Sequence, residues 1–246
     1  MTDVLTQPAS VDLYWLPLGA GQAGQCVRGS GRMYEAFMAT RQHRPRLDLY
    51  HSALIVRLDG HAHAVEMAPV WAVGGQGRGV VSEGPVGSPS WGRSRLFRYE
   101  VRCTRDGTIP DALTAVDSPR QVSNSSSRAR QVLALVESFP TATWGRDEQR
   151  TGDMWNSNSL TAWLLARSGH DTSSTDFQPP TGGAAPGWSA GLTVAARPSA
   201  GQACSSEGGS AGWTDQLGGS SLPDSSSCSA SAAVACTLPE AWWVGA

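Results

Sequence analysis

The sequence contains no lysine: all 19 of its basic residues are arginine, against 21 acidic residues. The formal net charge of −2 gives the protein no general attraction for nucleic acid or for anionic membrane surfaces. Long apolar runs are also missing, since no stretch approaches the roughly 20 residues that a membrane-spanning helix requires. We therefore predict no nucleic-acid partner and no membrane span.

Cysteines are few and scattered, and none forms a C-x-x-C pair or stands at zinc-site spacing from a histidine. An odd number of isolated thiols favours a reduced environment. The N-terminal segment "MTDVLTQPAS" has no basic region followed by an apolar one, so a secretion signal is not predicted. The spacing of Gly19, Gly21 and Gly24 matches a dinucleotide-binding loop, but the following residues form a poor helix. We predict a cytoplasmic protein without cofactor or metal.

The composition changes near Pro198. Residues 198–246 consist mainly of serine, glycine and alanine, and they contain no arginine. Such a segment has little apolar surface to bury, which is typical of disordered chain. The sequence therefore predicts one folded domain over residues 1–197, followed by a low-complexity tail.

Predicted strands outnumber predicted helices within residues 1–197, and they are neighbours along the chain. This order indicates an α+β fold in which a mostly antiparallel sheet packs against a few helices. In the segment 95–103, aromatic and aliphatic residues alternate with charged ones, so we expect a half-exposed strand there. The predicted strands are 11–18, 49–70 as a hairpin, 95–103 and 190–198, and the predicted helices are 31–45, 123–139 and the segment that begins at Ser157.

The hairpin prediction places a histidine beside a glutamate. Asp59-Gly60 is a strong signal for a two-residue turn, and it pairs Leu58 with His61, Val56 with His63 and Leu54 with Val65. His51 and Glu66 then become diagonal neighbours on one face of the sheet. A carboxylate beside an imidazole can serve as the orienting half of a catalytic triad. The alternative is a structural hydrogen bond.

The stretch "GDMWNSNSLTAWLLARSG" reads as a loop that becomes a helix. Leu160, Trp163 and Leu164 fall at helical spacing and form a buried face. Ser157 stands three residues before Leu160, so it lies on that same face at the helix N-terminus. Two interpretations are open: Ser157 caps the helix or is simply a polar residue of its first turn, or it occupies a nucleophile position.

Together, these two segments resemble the papain-like superfamily in its circularly permuted form, as in lecithin:retinol acyltransferase-like proteins and NlpC-like cell-wall hydrolases. In that superfamily a nucleophilic cysteine opens a buried helix, and Ser157 stands at the corresponding place. The family's histidine heads a strand, as His51 does in "YHSALIV", and "AVEMAP" is similar to the family's Val-Ile-His-Leu-Ala-Pro, with Glu66 in the third position. Residues of about 70–150 have no counterpart and are treated as an insert.

The resemblance implies two functions. In the first, the chain is a non-catalytic or weakly active relative with a ligand-binding cleft, because a serine gains little from a site adapted to a thiolate. In the second, it is a serine-dependent acyl hydrolase or acyltransferase, with Ser157 attacking an amide or ester, His51 as base and Glu66 orienting it. Trp155, Asn156 and Asn158 are then expected to contact a small-molecule, peptide or acyl-bearing substrate. The oligomeric state is left open.

Overall fold

A computed structural model of the protein describes residues 8–19, 35–36, 38–70 and 79–198. The predicted low-complexity tail lies outside these residues from position 199 onward, as do Gly21 and Gly24. The predicted helix over 31–45 is described only in part, with residues 35–36 and 38–41 helical.

A mostly antiparallel sheet organises the described residues and confirms the predicted α+β class. Its strands are β1 (Ser10–Pro17), β2 (Asp48–Leu58), β3 (His61–Pro69), β4 (Val80–Pro85), β5 (Arg98–Arg105), β6 (Arg120–Ser123) and the two-residue β7 (Gly183–Ala184). The first six lie in the order β4-β5-β3-β2-β1-β6 with antiparallel neighbours, and β7 pairs in parallel with the start of β2.

The β2–β3 hairpin has the predicted register. Leu58 pairs with His61, and the pairing continues through Val56–His63 to Leu54–Val65. Asp59 and Gly60 have φ values of 51° and 80°, which is the left-handed backbone that a tight hairpin turn needs. The local turn signal was therefore sufficient to fix which residues share a face.

Three α-helices pack with one face of the sheet into the main apolar core. They are α1 (Ser126–Leu135), α2 (Ser157–Arg167) and α3 (Trp188–Ala195). The described residues also contain five short 3₁₀ turns, at Pro89–Arg93, Arg95–Phe97, Ala112–Thr114, Val136–Ser138 and Thr175–Phe177. We call this sheet face the helix face. No helix among the described residues combines the length and the apolar character needed to cross a membrane.

The predicted strand over 190–198 is wrong, because these residues belong mainly to α3. An apparent alternation in "AGLTVA" conceals a helical pattern in which the buried positions are 190, 191, 194 and 195. A Cβ on Gly191 would lie 2.4 Å from the carbonyl oxygen of Ser159. The glycine therefore marks the close approach of α3 to α2, and this contact could not be read from strand alternation.

The opposite face of the sheet, which we call the second face, has a smaller apolar cluster. Leu16, Ala53, Ile55 and Ala64 pack there against Ile109. The residues between them along the strands point to the helix face, since side chains of a strand alternate.

The described residues of the predicted insert at about 70–150 include three strands of this sheet. They supply β4 and β5 at one edge and β6 at the other, together with α1. Residues 71–78 of this segment lie outside the described part of the chain.

Candidate functional site

The N-terminus of α2 is capped by Asn156. Its side-chain oxygen accepts a hydrogen bond from the backbone N–H of Asn158 at 2.9 Å, and its own N–H donates to Ser159 Oγ at 3.1 Å. This reciprocal arrangement is a capping box. Ser157 is therefore not the cap; it is the first residue inside the helix, as the alternative of a polar first-turn residue expects.

Asn158 connects the start of α2 to β2. Its Oδ1 accepts from Ser52 Oγ at 2.8 Å, and its Nδ2 donates to the carbonyls of Tyr50 at 3.0 Å and Pro186 at 2.8 Å. The two β2 partners flank His51 in the sequence. The fold thus brings the predicted nucleophile segment against the strand segment that carries the predicted base.

Ser157 itself is buried, with 4% of its surface exposed. Its hydroxyl makes no hydrogen bond to any other residue in the described part of the chain, although hydrogen bonds surround it on Asn156, Asn158 and Ser159. Its position at the start of an 11-residue helix exposes it to the positive end of the helix dipole.

His51 belongs to the second face of the sheet. It pairs with Leu16, whereas its neighbour Ser52 pairs with Trp15 on the helix face. Burial lowers the pKa of His51 to about 4, and the nearby Asp111 carboxylate opposes that shift. The imidazole is consequently neutral at neutral pH, and no hydrogen bond joins it to Ser157 among the described contacts.

Glu66 forms an ion pair with an arginine, and not with the predicted histidine. The register of the hairpin puts it on the face that carries His51, as predicted, but its Oε1 accepts from Arg102 Nη1 at 3.3 Å. Burial raises the pKa of Glu66, while Arg102 acts to lower it. The structure therefore does not assemble the expected contacts of a triad from Ser157, His51 and Glu66.

The residues expected to contact a substrate make internal contacts. Trp155 is only 1% exposed, donates from Nε1 to the Pro140 carbonyl at 3.1 Å and stacks on Phe139 with 5.0 Å between ring centroids. Asn156 Nδ2 donates to the Pro186 carbonyl at 2.9 Å. Together with the hydrogen bonds of Asn158, these contacts connect the start of α2 to the surrounding loops and to β2.

Two features escaped the sequence analysis. Glu100 and Arg102 were expected on a half-exposed strand, yet they are 0% and 2% exposed and form an ion pair at 2.8 Å. Alternation of charged with apolar residues normally indicates solvent on the charged side, so no local signal distinguished this case. The second feature is the carboxylate of Asp153, which accepts from Gly187 N–H at 2.8 Å and Ser189 Oγ at 2.7 Å at the start of α3.

The described residues contain no group of three histidine, cysteine, aspartate or glutamate side chains that could hold a metal ion. Comparisons with protein families, with curated proteins and with solved structures found no match to this chain.

Proposed function

We propose that this protein is a non-catalytic relative of the permuted papain-like superfamily that binds a small ligand. The proposal rests on the ion pairing and the pKa of the residues that the resemblance assigns to catalysis. Glu66 is paired with Arg102, and burial keeps His51 neutral with a pKa of about 4. A base with so low a pKa is a weak acceptor for the hydroxyl proton of a serine, so Ser157 lacks the activation that serine chemistry requires.

In this proposal the start of α2 has a structural role. Asn158 connects the helix to β2 and to the loop before α3, and these buried hydrogen bonds fix the position of the helix. A binding protein derived from an enzyme fold would keep such structural contacts while its catalytic contacts are lost.

One observation favours the serine-dependent acyl hydrolase or acyltransferase as a second candidate. Asn158 donates to the Tyr50 carbonyl and accepts from Ser52 Oγ, and these hydrogen bonds hold the α2 N-terminus at the strand positions on both sides of His51. The predicted nucleophile segment and the strand of the predicted base are therefore adjacent, although His51 itself lies on the opposite face of the sheet.

A fluorophosphonate probe separates the two functions, because it reacts with serines that a general base activates. The wild-type protein and Ser157→Ala are incubated with the probe at neutral pH, and labelling is read by intact-protein mass spectrometry. Ser127→Ala, at an exposed position in α1, serves as the matched control. We expect the three proteins to remain equally unlabelled, whereas labelling that Ser157→Ala alone abolishes would establish the second candidate.

A further inference from the structure

Two tryptophans meet where β1 packs against α3. The ring centroids of Trp15 and Trp188 are 5.1 Å apart, with the ring planes tilted by 44°. Trp15 is completely buried, and Trp188 is half-buried at the first position of α3. The pair therefore extends from the core to a place close to the surface.

Both indole N–H groups are buried without a hydrogen-bond acceptor among the described residues. Trp155 provides the contrast, because its equally buried indole donates to the Pro140 carbonyl at 3.1 Å. Buried donors nearly always have partners, because an unpaired buried donor destabilises the fold. Two unpaired donors on touching rings indicate a place built for an acceptor.

The surroundings connect the tryptophan pair to the candidate site. Trp15 lies opposite Ser52, which donates to Asn158 in the first turn of α2. Trp188 directly follows Gly187, whose carbonyl accepts from Ser159 Oγ at 2.8 Å. The Asp153 carboxylate accepts the N–H of Gly187, whereas the neighbouring indole of Trp188 and that of Trp15 have no acceptor among the described residues.

We propose that Trp15 and Trp188 form a subsite that binds an acceptor oxygen of a small apolar molecule. An indole N–H can only donate, which selects a carbonyl or carboxylate oxygen and excludes a cationic head group. The half-buried ring of Trp188 offers apolar surface for the rest of the molecule. This inference rests on the proposed binding function and specifies the chemistry of its ligand.

The test uses the full chain labelled with [¹⁵N-indole]tryptophan and three six-carbon probes. Hexanoate carries a carboxylate, hexanamide carries a neutral carbonyl, and hexylammonium carries a donor-only cation. We expect saturable shifts of the Trp15 and Trp188 indole resonances with one or both oxygen-bearing probes, and no such shift with hexylammonium. The Trp155 resonance, whose N–H is already paired, is the internal reference and should stay in place.

Trp188→Phe assigns one resonance and removes one donor at a half-buried position, where the fold should tolerate the change. We expect it to weaken probe binding about fivefold, the effect of one lost neutral hydrogen bond. Trp15 is assigned through its ring contact with Trp188, so the test does not depend on a Trp15 variant folding. Indole resonances that exchange with water but ignore every probe would overturn the inference, as would equal shifts with all three probes. Fluorophosphonate labelling of Ser157 is a separate result and would overturn the proposed function instead.

Discussion

Ser52 Oγ donates a hydrogen bond to Asn158 Oδ1 over 2.8 Å, and this contact joins β2 to α2 inside the core. Both residues are almost completely buried, at 1% and 2% exposure. Buried polar groups stabilise a fold only when their hydrogen bonds are satisfied. Here the same amide also reaches the carbonyls of Tyr50 and Pro186, so one side chain determines where α2 begins relative to the sheet.

Replacing Asn158 with alanine should therefore destabilise the protein strongly. The change removes three side-chain hydrogen bonds and leaves Ser52 and the Tyr50 carbonyl without this partner in a buried place. We expect the free energy of unfolding to fall by about 3 kcal/mol, measured by urea denaturation. Asn124→Ala, at an exposed position, should change it by less than about 0.5 kcal/mol. Equal, small effects in both variants would contradict the anchoring role of Asn158.

The sequence was informative where the determinants are local. Asp59-Gly60 defined the hairpin and its register because the turn geometry depends on those two residues. The partners of Asn158 could not be found in this way, since Ser52 lies 106 residues away and a serine on a strand carries no signal of its own. The same limit applies to Arg102, whose burial depends on carboxylates on β3 and on its own strand.

Glu66→Gln tests whether the charged carboxylate of Glu66 stabilises or destabilises the fold. Burial raises the pKa of Glu66 above its ordinary value of 4.5, so the fold prefers the neutral acid. The contribution of the Glu66 carboxyl to the free energy of unfolding is therefore fully present below about pH 4.5, where the group is protonated. This contribution is lost as the pH rises through the pKa of Glu66 in the folded protein. We expect Glu66→Gln, which is neutral at every pH, to be more stable than the wild type at pH 7, with the difference closing as the pH falls.

Urea denaturation at several pH values measures this difference. Glu83→Gln is the matched control, because Glu83 pairs with Arg98 at 3.0 Å with 31% of its side chain exposed. Such a partly exposed ion pair contributes at most about 1 kcal/mol. A loss of stability in Glu66→Gln at pH 7 would show that the charged carboxylate supports the fold.

His51 should make the protein sensitive to mild acid. Burial depresses its pKa from 6.5 to about 4, so the unfolded chain takes up a proton in a pH range where the folded chain does not. The free energy of unfolding is highest above about pH 6.5. It falls by up to about 3 kcal/mol as the pH decreases toward 4. Burial also lowers the pKa of His170, and its contribution has the same sign.

Thermal or urea unfolding between pH 7 and pH 4 tests this dependence on His51. The His51→Gln variant should show a shallower decline, with the part due to His170 remaining. His43→Gln, at an exposed position, should retain the wild-type decline. Identical pH profiles for His51→Gln and the wild type would mean that His51 is accessible to protons in the folded protein.

Ser157→Cys provides a direct probe of the position that a catalytic thiol would occupy. In a cysteine–histidine active site, an adjacent imidazolium stabilises the thiolate and lowers the thiol pKa. Here the low pKa of His51 leaves its imidazole uncharged at neutral pH, and the side chain belongs to the opposite sheet face. The influences that remain on a thiol at 157 are the α2 N-terminus, which lowers its pKa, and burial, which raises it.

These two influences oppose each other, so we expect the thiol to titrate near the ordinary value of about 8.5. The decisive comparison is between Ser157→Cys and the double variant Ser157→Cys/His51→Ala. Iodoacetamide alkylation is followed from pH 6 to pH 9 by mass spectrometry of the peptide that contains residue 157, which separates it from the native cysteines. Because no charge on His51 reaches the thiol, the two proteins should share one alkylation profile. A thiol that reacts well below pH 8 and loses that reactivity with His51→Ala would instead reveal a working pair at this position, and the acyl-transfer function would then replace the binding function.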